Sequence, residues 1–411
     1  MELVARLAER EVAGNPIRVG IVGCGQMGSG LAHTVNAVRG MQIAAVADID
    51  PKRGIDVFAE MGYSPDAVTV TDLRSEAEDA LRAGRRVVTQ DALLLPALDG
   101  IEANVEATGV PDVGALVAWT SVNNRKPVIM LNVETDITVG LLLNDLARKN
   151  GTVYTVASGD EPGVLKMLWE QATLMGFEIV CLGKGKNNTI NYAATEESAR
   201  EEALSKGMNP KILAAFQDGT KTMVEMAAVS NATGLLPDVV GMHGPKVELD
   251  DLVATFIPAA DGGIFSMRGC IDYTTGKVAP GVFAVVYSDE PRIRKEMEFI
   301  TRADGPYYLH FRPYHLCDLE TPQSIAEAVL LGERTVTAAG AHSEVVCVAK
   351  RDLTPGQKVE GIGGRDWHGT VMTRAEAVAK KAVPIGIGAG GTVTRAVERG
   401  ALITTDDLTP D

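Results

Sequence analysis

Aromatic residues, paired cysteines, positive charge and long apolar runs are all scarce in this sequence, and each shortage excludes something. Aromatics make up 5% of the 411 residues against 43 glycines, which points to many tight turns. Cys24, Cys181, Cys270, Cys317 and Cys347 are widely scattered, with no CxxC spacing for zinc and no framework of close pairs, so they read as reduced, structural thiols. A formal net charge of −15 sets the surface against nucleic acid and anionic membranes, while leaving room for a local basic pocket. No apolar run reaches the roughly 18–20 residues that span a bilayer. Glu2, Arg6, Glu9 and Arg10 stand where a signal peptide needs apolar residues, so a cytoplasmic protein is expected.

What is present is ordinary globular material, 45% hydrophobic and 23% charged, in a chain long enough for two or three domains. Leu3, Val4, Leu7 and Val12 are spaced for a short amphipathic helix before a first strand at 17–22. Strand-like runs at 42–47, 103–107, 128–131 and 152–156 then alternate with helix-length segments, the rhythm of a doubly wound parallel sheet. Residues 64–100 add a strand and one or two helices to it. A helix over 161–176, with Pro162 in its first turn, opens a second domain. That domain carries a helix over 218–232 closed by Gly234 and a strand-rich stretch over 281–316. Residues 336–343 read as a linker, and the remainder as a small β-rich module with one helix at 374–381. The expected architecture is therefore α/β: a Rossmann domain over 1–160, an α+β substrate and oligomerisation domain over 161–335, and a β-rich module over 344–411.

The strongest local signal is Gly23-Cys24-Gly25-Gln26-Met27-Gly28, directly after an apolar strand and directly before an Ala/Val/Leu-rich helix. Gly23 permits the turn, Gly25 lets the backbone approach a pyrophosphate, and Gly28 allows close helix–sheet packing, while the helix N-terminus supplies donors. Asp48 ends the second strand roughly twenty residues later, where a carboxylate binds ribose hydroxyls and repels a 2′-phosphate. NAD is thus favoured over NADP. Lys52 and Arg53 leave two readings open, a contribution to 2′-phosphate binding or plain solvated charge. Thr108, Gly109 and Asn132 fall at carboxyl ends of sheet strands and are expected near the nicotinamide.

Beyond the cofactor segment, residues 183–192 gather Lys184, Lys186, Asn187, Asn188 and Asn191 in a glycine-punctuated loop of anion-binding composition. Lysine holds a phosphate or carboxylate and donates a proton to a developing alkoxide. Asp218, Lys221 and Glu225 are spaced to share one helix face, either as reacting groups or as an N-cap and an ordinary i,i+4 pair. Arg312 and His315 in HFRPYHL, and His243 in GMHGP, complete the candidates for gripping an anionic substrate.

Taken together these segments resemble the homoserine dehydrogenase family. Asn188-Thr189-Ile190-Asn191-Tyr192 sits where that family has its NGTxNY phrase, and DGTKTMVEMA is similar to its catalytic Asp…Lys helix. The resemblance implies roles for Asp218 and Lys221 in substrate binding or proton transfer. The family carries a lysine directly after the asparagine that ends the strand, where this chain has Val133. The phrases GKGKNN, DGTKTMVEMAA, NATGL, GMHGP and RPYHL resemble more closely a subgroup with a C-terminal SAF (β-clip) module, which includes the 1-deoxyxylulose 5-phosphate reductoisomerase-like enzyme. That resemblance implies a basic pocket for a small phosphorylated or carboxylated metabolite. The expectation is an NAD(P)-dependent oxidoreductase, a homo-oligomer (dimer or tetramer), with Lys184, Lys186, Asp218 and Lys221 catalytic. The rivals are a reductoisomerase needing a divalent metal (Mg or Mn) with Asp160, Glu161 and Glu134 as oxygen donors, homoserine dehydrogenase proper, and a non-catalytic NAD sensor.

Overall fold

The computed structural model describes residues 2–411. The first strand, β1 (Ile17–Val22), is apolar almost throughout because both its faces are covered, the condition of a central parallel strand. It pairs in parallel with β2 (Met41–Ala47) on one side and β5 (Ala103–Glu106) on the other. With β3 (Val68–Val70), β4 (Arg86–Thr89), β6 (Val128–Met130) and β7 (Tyr154–Val156) the order is β3-β4-β2-β1-β5-β6-β7, all neighbours parallel. The chain winds outward from β1 in one direction and then in the other. The switch point therefore lies at the carboxyl ends of β1 and β5, where ligands of such sheets bind. Residues 64–100 contribute two strands, β3 and β4, where the sequence suggested one.

Two compact units emerge. The first comprises Met1–Gly163 and Leu316–Ala338; the second comprises Val164–His315 and Ala339–Asp411. The return of residues 316–338 to the first unit was not legible in the sequence, which placed most of them at the end of the second domain. The helix Cys317–Ala326 packs against the helix Gln26–Ala37, and Ile325, Ala326 and Ala328 enter the core beneath β1. Val336, read as the start of a linker, instead bridges to Val156 of β7, and the Thr155 hydroxyl accepts from the backbone N–H groups of Thr335 and Val336, both at 3.0 Å.

The second unit is built on a five-stranded mixed sheet in the order β12-β11-β8-β10-β9. Its centre is β8 (Glu178–Gly185), flanked by β10 (Cys270–Thr274) in parallel and β11 (Val282–Tyr287) antiparallel; β9 (Leu236–Pro237) and β12 (Tyr307–Arg312) form the edges. One face buries Cys181, Phe283 and Val285 with Phe256 and Phe265. Residues 183–185, read from sequence as loop, are the end of β8. Gly183 is required there, since a Cβ would lie 2.2 Å from the Phe283 ring. The stretch 281–316 also holds a helix, Pro291–Thr301, between its two strands.

The C-terminal residues form the small β-rich module expected, around the antiparallel pair β13 (Ser343–Ala349) and β14 (Trp367–Thr373) and several isolated bridges. It packs within the second unit: the Asn231 side chain accepts from the N–H groups of His342 (2.8 Å) and Ser343 (2.9 Å), and Gly369 N–H donates to the Thr220 hydroxyl at 2.8 Å. No helix among the described residues is long and apolar enough to cross a membrane.

Candidate active site

The turn after β1 has the geometry that its glycines suggest. Gly23 has φ +97°, and a Cβ on it would come within 2.9 Å of the Ala107 carbonyl, so the loops after β1 and β5 touch backbone to backbone. A Cβ on Gly28 would lie 1.8 Å from the Gly23 oxygen, which makes glycine obligatory where the helix rises from the sheet. Gly25 faces open space and caps the helix Gln26–Ala37 without a side-chain hydrogen bond or any acidic residue in its first turn. Gln26 and Met27 are exposed beside it. Helix N–H donors above a turn of two glycines, with the Cys24 side chain buried, are the kind of cradle that a pyrophosphate takes. Residues Gly28, Leu31, Ala32 and Val35 bury the helix's other face at i, i+3, i+4 and i+7.

Asp48 is buried at the end of β2, and both its oxygens are in use: one accepts from Cys24 N–H at 2.8 Å and the other from Asp50 N–H at 2.9 Å. The carboxylate thus ties the glycine turn to β2. Each carboxylate oxygen has a second lone pair for a ligand. Arg53 approaches it at 3.9 Å and Lys52 pairs with Asp56 at 2.5 Å, both side chains more than half exposed. Burial pushes the Cys24 thiol up to about 12, which keeps it neutral.

Thr108 and Asn132 are committed to the protein. Thr108 donates both its N–H (2.9 Å) and its hydroxyl to Glu106, while Gly109 takes φ +67°. Asn132 is the N-cap of the helix Val133–Asn150, accepting from Thr135 N–H at 3.2 Å, and its amide donates to the Val110 carbonyl at 3.1 Å. It thereby ties the loop after β5 to the helix that follows β6. Glu106, missed in the sequence, is fully buried, and burial raises its carboxyl to about 7. Its signal was a carboxylate at the carboxyl end of a strand, beside the switch point of the sheet.

In the second unit, register across the sheet aligns Tyr273, Lys184, Val282 and Arg312 on β10, β8, β11 and β12. Directly opposed residues share a face, so the basic groups Lys184 and Arg312 project from the side opposite the phenylalanine core. Lys184 is buried and pairs with Glu225 of the buried helix Thr220–Thr233; Lys221, one turn earlier, stands 3.8 Å from the same carboxylate. Lys186, just past β8, donates to the Asn188 side chain at 2.5 Å and the Phe216 carbonyl at 2.7 Å. Burial, then the charge of Lys184, lowers it to about 8. The lysine pair and Glu225 are therefore one constellation, although the sequence presented them as two.

Asp218 does not belong on that helix face. It terminates the helix Pro210–Gln217, and the next helix begins only at Thr220, whose N–H donates to Asp218 at 2.8 Å. Its other oxygen meets Lys350 of the C-terminal module at 2.7 Å, with both side chains almost wholly buried. Both its oxygens are thus engaged within the protein. Asn187, Asn188 and Asn191 are exposed on the following loop, whose Tyr192 stacks on His368 with ring centroids 4.4 Å apart. His243 bonds Asp238 at 2.8 Å and His315 the Pro280 carbonyl at 2.8 Å, while the Arg312 guanidinium lies 4.9 Å from the Tyr314 ring centre.

Residues 159–321 match the sequence family described as Oxidoreductase DRL, catalytic domain. No curated protein matches this chain in sequence. Among solved structures, a probable dehydrogenase from Thermotoga maritima is similar at 12% identity and TM-score 0.43, over 79% of this chain and 91% of that one. An oxidoreductase from Agrobacterium radiobacter, in complex with NAD+, L-tartaric acid and magnesium, is similar at 13% identity and TM-score 0.40, covering 78% and 91%. A DOX-P reductoisomerase in complex with magnesium is similar at 11% identity and TM-score 0.43, covering 78% and 70%. Likenesses at this level carry no residue's role and no substrate across.

Proposed function

We propose that this chain, an NAD(P)-dependent oxidoreductase, prefers NAD and interconverts an alcohol and a carbonyl on a small anionic metabolite, phosphorylated or carboxylated. The observation that carries the reading is the basic sheet face of the second unit, where Lys184 and Lys221 meet Glu225, Lys186 follows two residues after Lys184, and Arg312 lies in the same row. Lysine and arginine side chains gathered on one face are the donors that hold a phosphate or carboxylate. The homoserine dehydrogenase-like and SAF relationships belong to the same proposal, with Val133 in place of the family lysine favouring a substrate other than homoserine.

A nicotinamide dinucleotide supplies or accepts the hydride, and Gly23, Gly25, Gly28 and Asp48 are the residues that would hold it. The proton that accompanies the hydride needs a group titrating near neutrality, and Lys186, lowered to about 8, holds it at Nζ. Lys184 and Lys221, fixed by Glu225, orient the anionic end. Partners are limited to that metabolite and to further copies of this chain.

Asp160 and Glu161 favour a second reading. They are adjacent and buried, the hard oxygen donors that a magnesium or manganese ion takes, and such an ion would polarise neighbouring substrate oxygens as a reductoisomerase requires.

The test is isothermal titration with NADH and NADPH, followed by turnover assays on sugar phosphates and hydroxy acids with and without magnesium. NADH should bind at least tenfold more tightly, about 1.4 kcal/mol. A preference for NADPH would show that Arg53 and Lys52, not Asp48, decide the cofactor. Turnover only with magnesium would select the reductoisomerase.

A further inference from the structure

The C-terminal module reaches the lysine constellation through one side chain. Lys350, just past β13, has its Nζ 2.7 Å from Asp218, 2.6 Å from the Ala194 carbonyl and 2.7 Å from the Gly364 carbonyl. Ala194 closes the loop that carries Asn187, Asn188 and Asn191. Asp218 precedes the helix that bears Lys221 and Glu225. A single buried ammonium thus holds the substrate loop by its main chain, the start of the reacting helix by its carboxylate, and the module itself at Gly364. Two further contacts lie alongside, Gly369 N–H on Thr220 and His368 on Tyr192.

Resting on the reading of this face as the substrate site, we propose that Lys350 is a positioning residue for that site: it fixes the 187–194 loop and balances the charge of Asp218. A lysine without a partner carboxylate, or the carboxylate without its lysine, would leave an uncompensated charge in a buried place. The consequence falls on Lys186. Around it stand Lys184 on its own strand, Asp218 in the turn between two helices, and Glu225 and Lys221 on the helix Thr220–Thr233. Tyr273 is aligned with Lys184 on β10, and Tyr192 and His368 flank the loop. Asp218 and Glu225 oppose the lowering of Lys186. Lys350, 2.7 Å from the Asp218 carboxylate, offsets part of its field, so that burial and Lys184 hold Lys186 low.

Lys186 can be titrated directly, by trace acetylation of the intact protein with acetic anhydride at a series of pH values and mass spectrometry of the Lys186 peptide. The wild-type midpoint should fall at about 8. In Lys350→Met it should rise by about half a pH unit or more, because Asp218 is now unbalanced. The double variant Asp218→Asn/Lys350→Met should return it, and Lys350→Arg should leave it near wild type. An unchanged midpoint in a folded Lys350→Met, or a double variant that behaves like the single one, overturns the proposal. Should Lys350→Met fail to fold, Asp218→Asn reads the same coupling from the other side: its midpoint should fall, and no change refutes the idea. Inorganic phosphate added to the wild type separates the two readings. Protection of Lys184 and Lys186 from acetylation supports the anionic substrate site, whereas absence of protection removes that reading and leaves the Lys350 titration to stand or fall by itself.

Discussion

Glu106 shows how much a single side chain settles at the residue scale. Its carboxyl, raised by burial from an ordinary 4.5 to about 7, keeps its proton in the folded state over a range where the unfolded chain has lost it. Folding then binds a proton between those two values, so this residue's contribution to stability falls as pH rises from about 4.5 to about 7. Glu106→Gln should abolish that slope, worth a few kcal/mol across the window, in urea unfolding measured at pH 5 and pH 7.5. An unaltered slope would mean that other groups, such as Asp136, carry it. Residue chemistry was only partly readable beforehand. Lys184 and Lys186 read as one group and Asp218, Lys221 and Glu225 as another on a shared helix face, from which the structure removes Asp218. Its true partner lies 132 positions away in the C-terminal module, and no local pattern encodes a contact of that range.

At the scale of elements, Gly28 is the most restrictive position. Gly28→Ala would set a methyl group within 1.8 Å of a backbone oxygen, so the helix must lift from the turn. NADH affinity should drop by tenfold or more in isothermal titration, and Gly25→Ala, whose Cβ meets no protein atom, should fold normally and lose affinity only through its approach to the cofactor. Affinity retained in Gly28→Ala would place the dinucleotide elsewhere. The parallel sheet was the most legible part of the fold because buried parallel strands are written as mostly apolar runs, as β1, β2, β6 and β7 are. The short edge strand β3 was less visible, since it is partly exposed and only three residues long. The end of β8 was hidden for another reason: glycines and lysines at 183–186 have loop composition, yet the glycines are there to admit Phe283 and the Ala279 backbone against the sheet.

The whole molecule divides in a way the linear order conceals, since the first unit needs Leu316–Ala338 as well as its opening 163 residues. Expressed alone, residues 1–163 lack Ile325, Ala326 and Ala328 from their core and the bridge to β7. That fragment should unfold at lower temperature than a version in which 316–338 is joined through a flexible linker, and should bind NADH more weakly. Equal melting curves would show the returning segment to be dispensable. The same division has a consequence for synthesis. A ribosome adding about 5–20 residues per second needs roughly ten to thirty-five seconds to pass from the end of the first stretch to the end of the returning one. For that interval a nascent chain holds the parallel sheet with one helix of its cover still to come, and the apolar surface that Ile325, Ala326 and Ala328 later bury stays open to water.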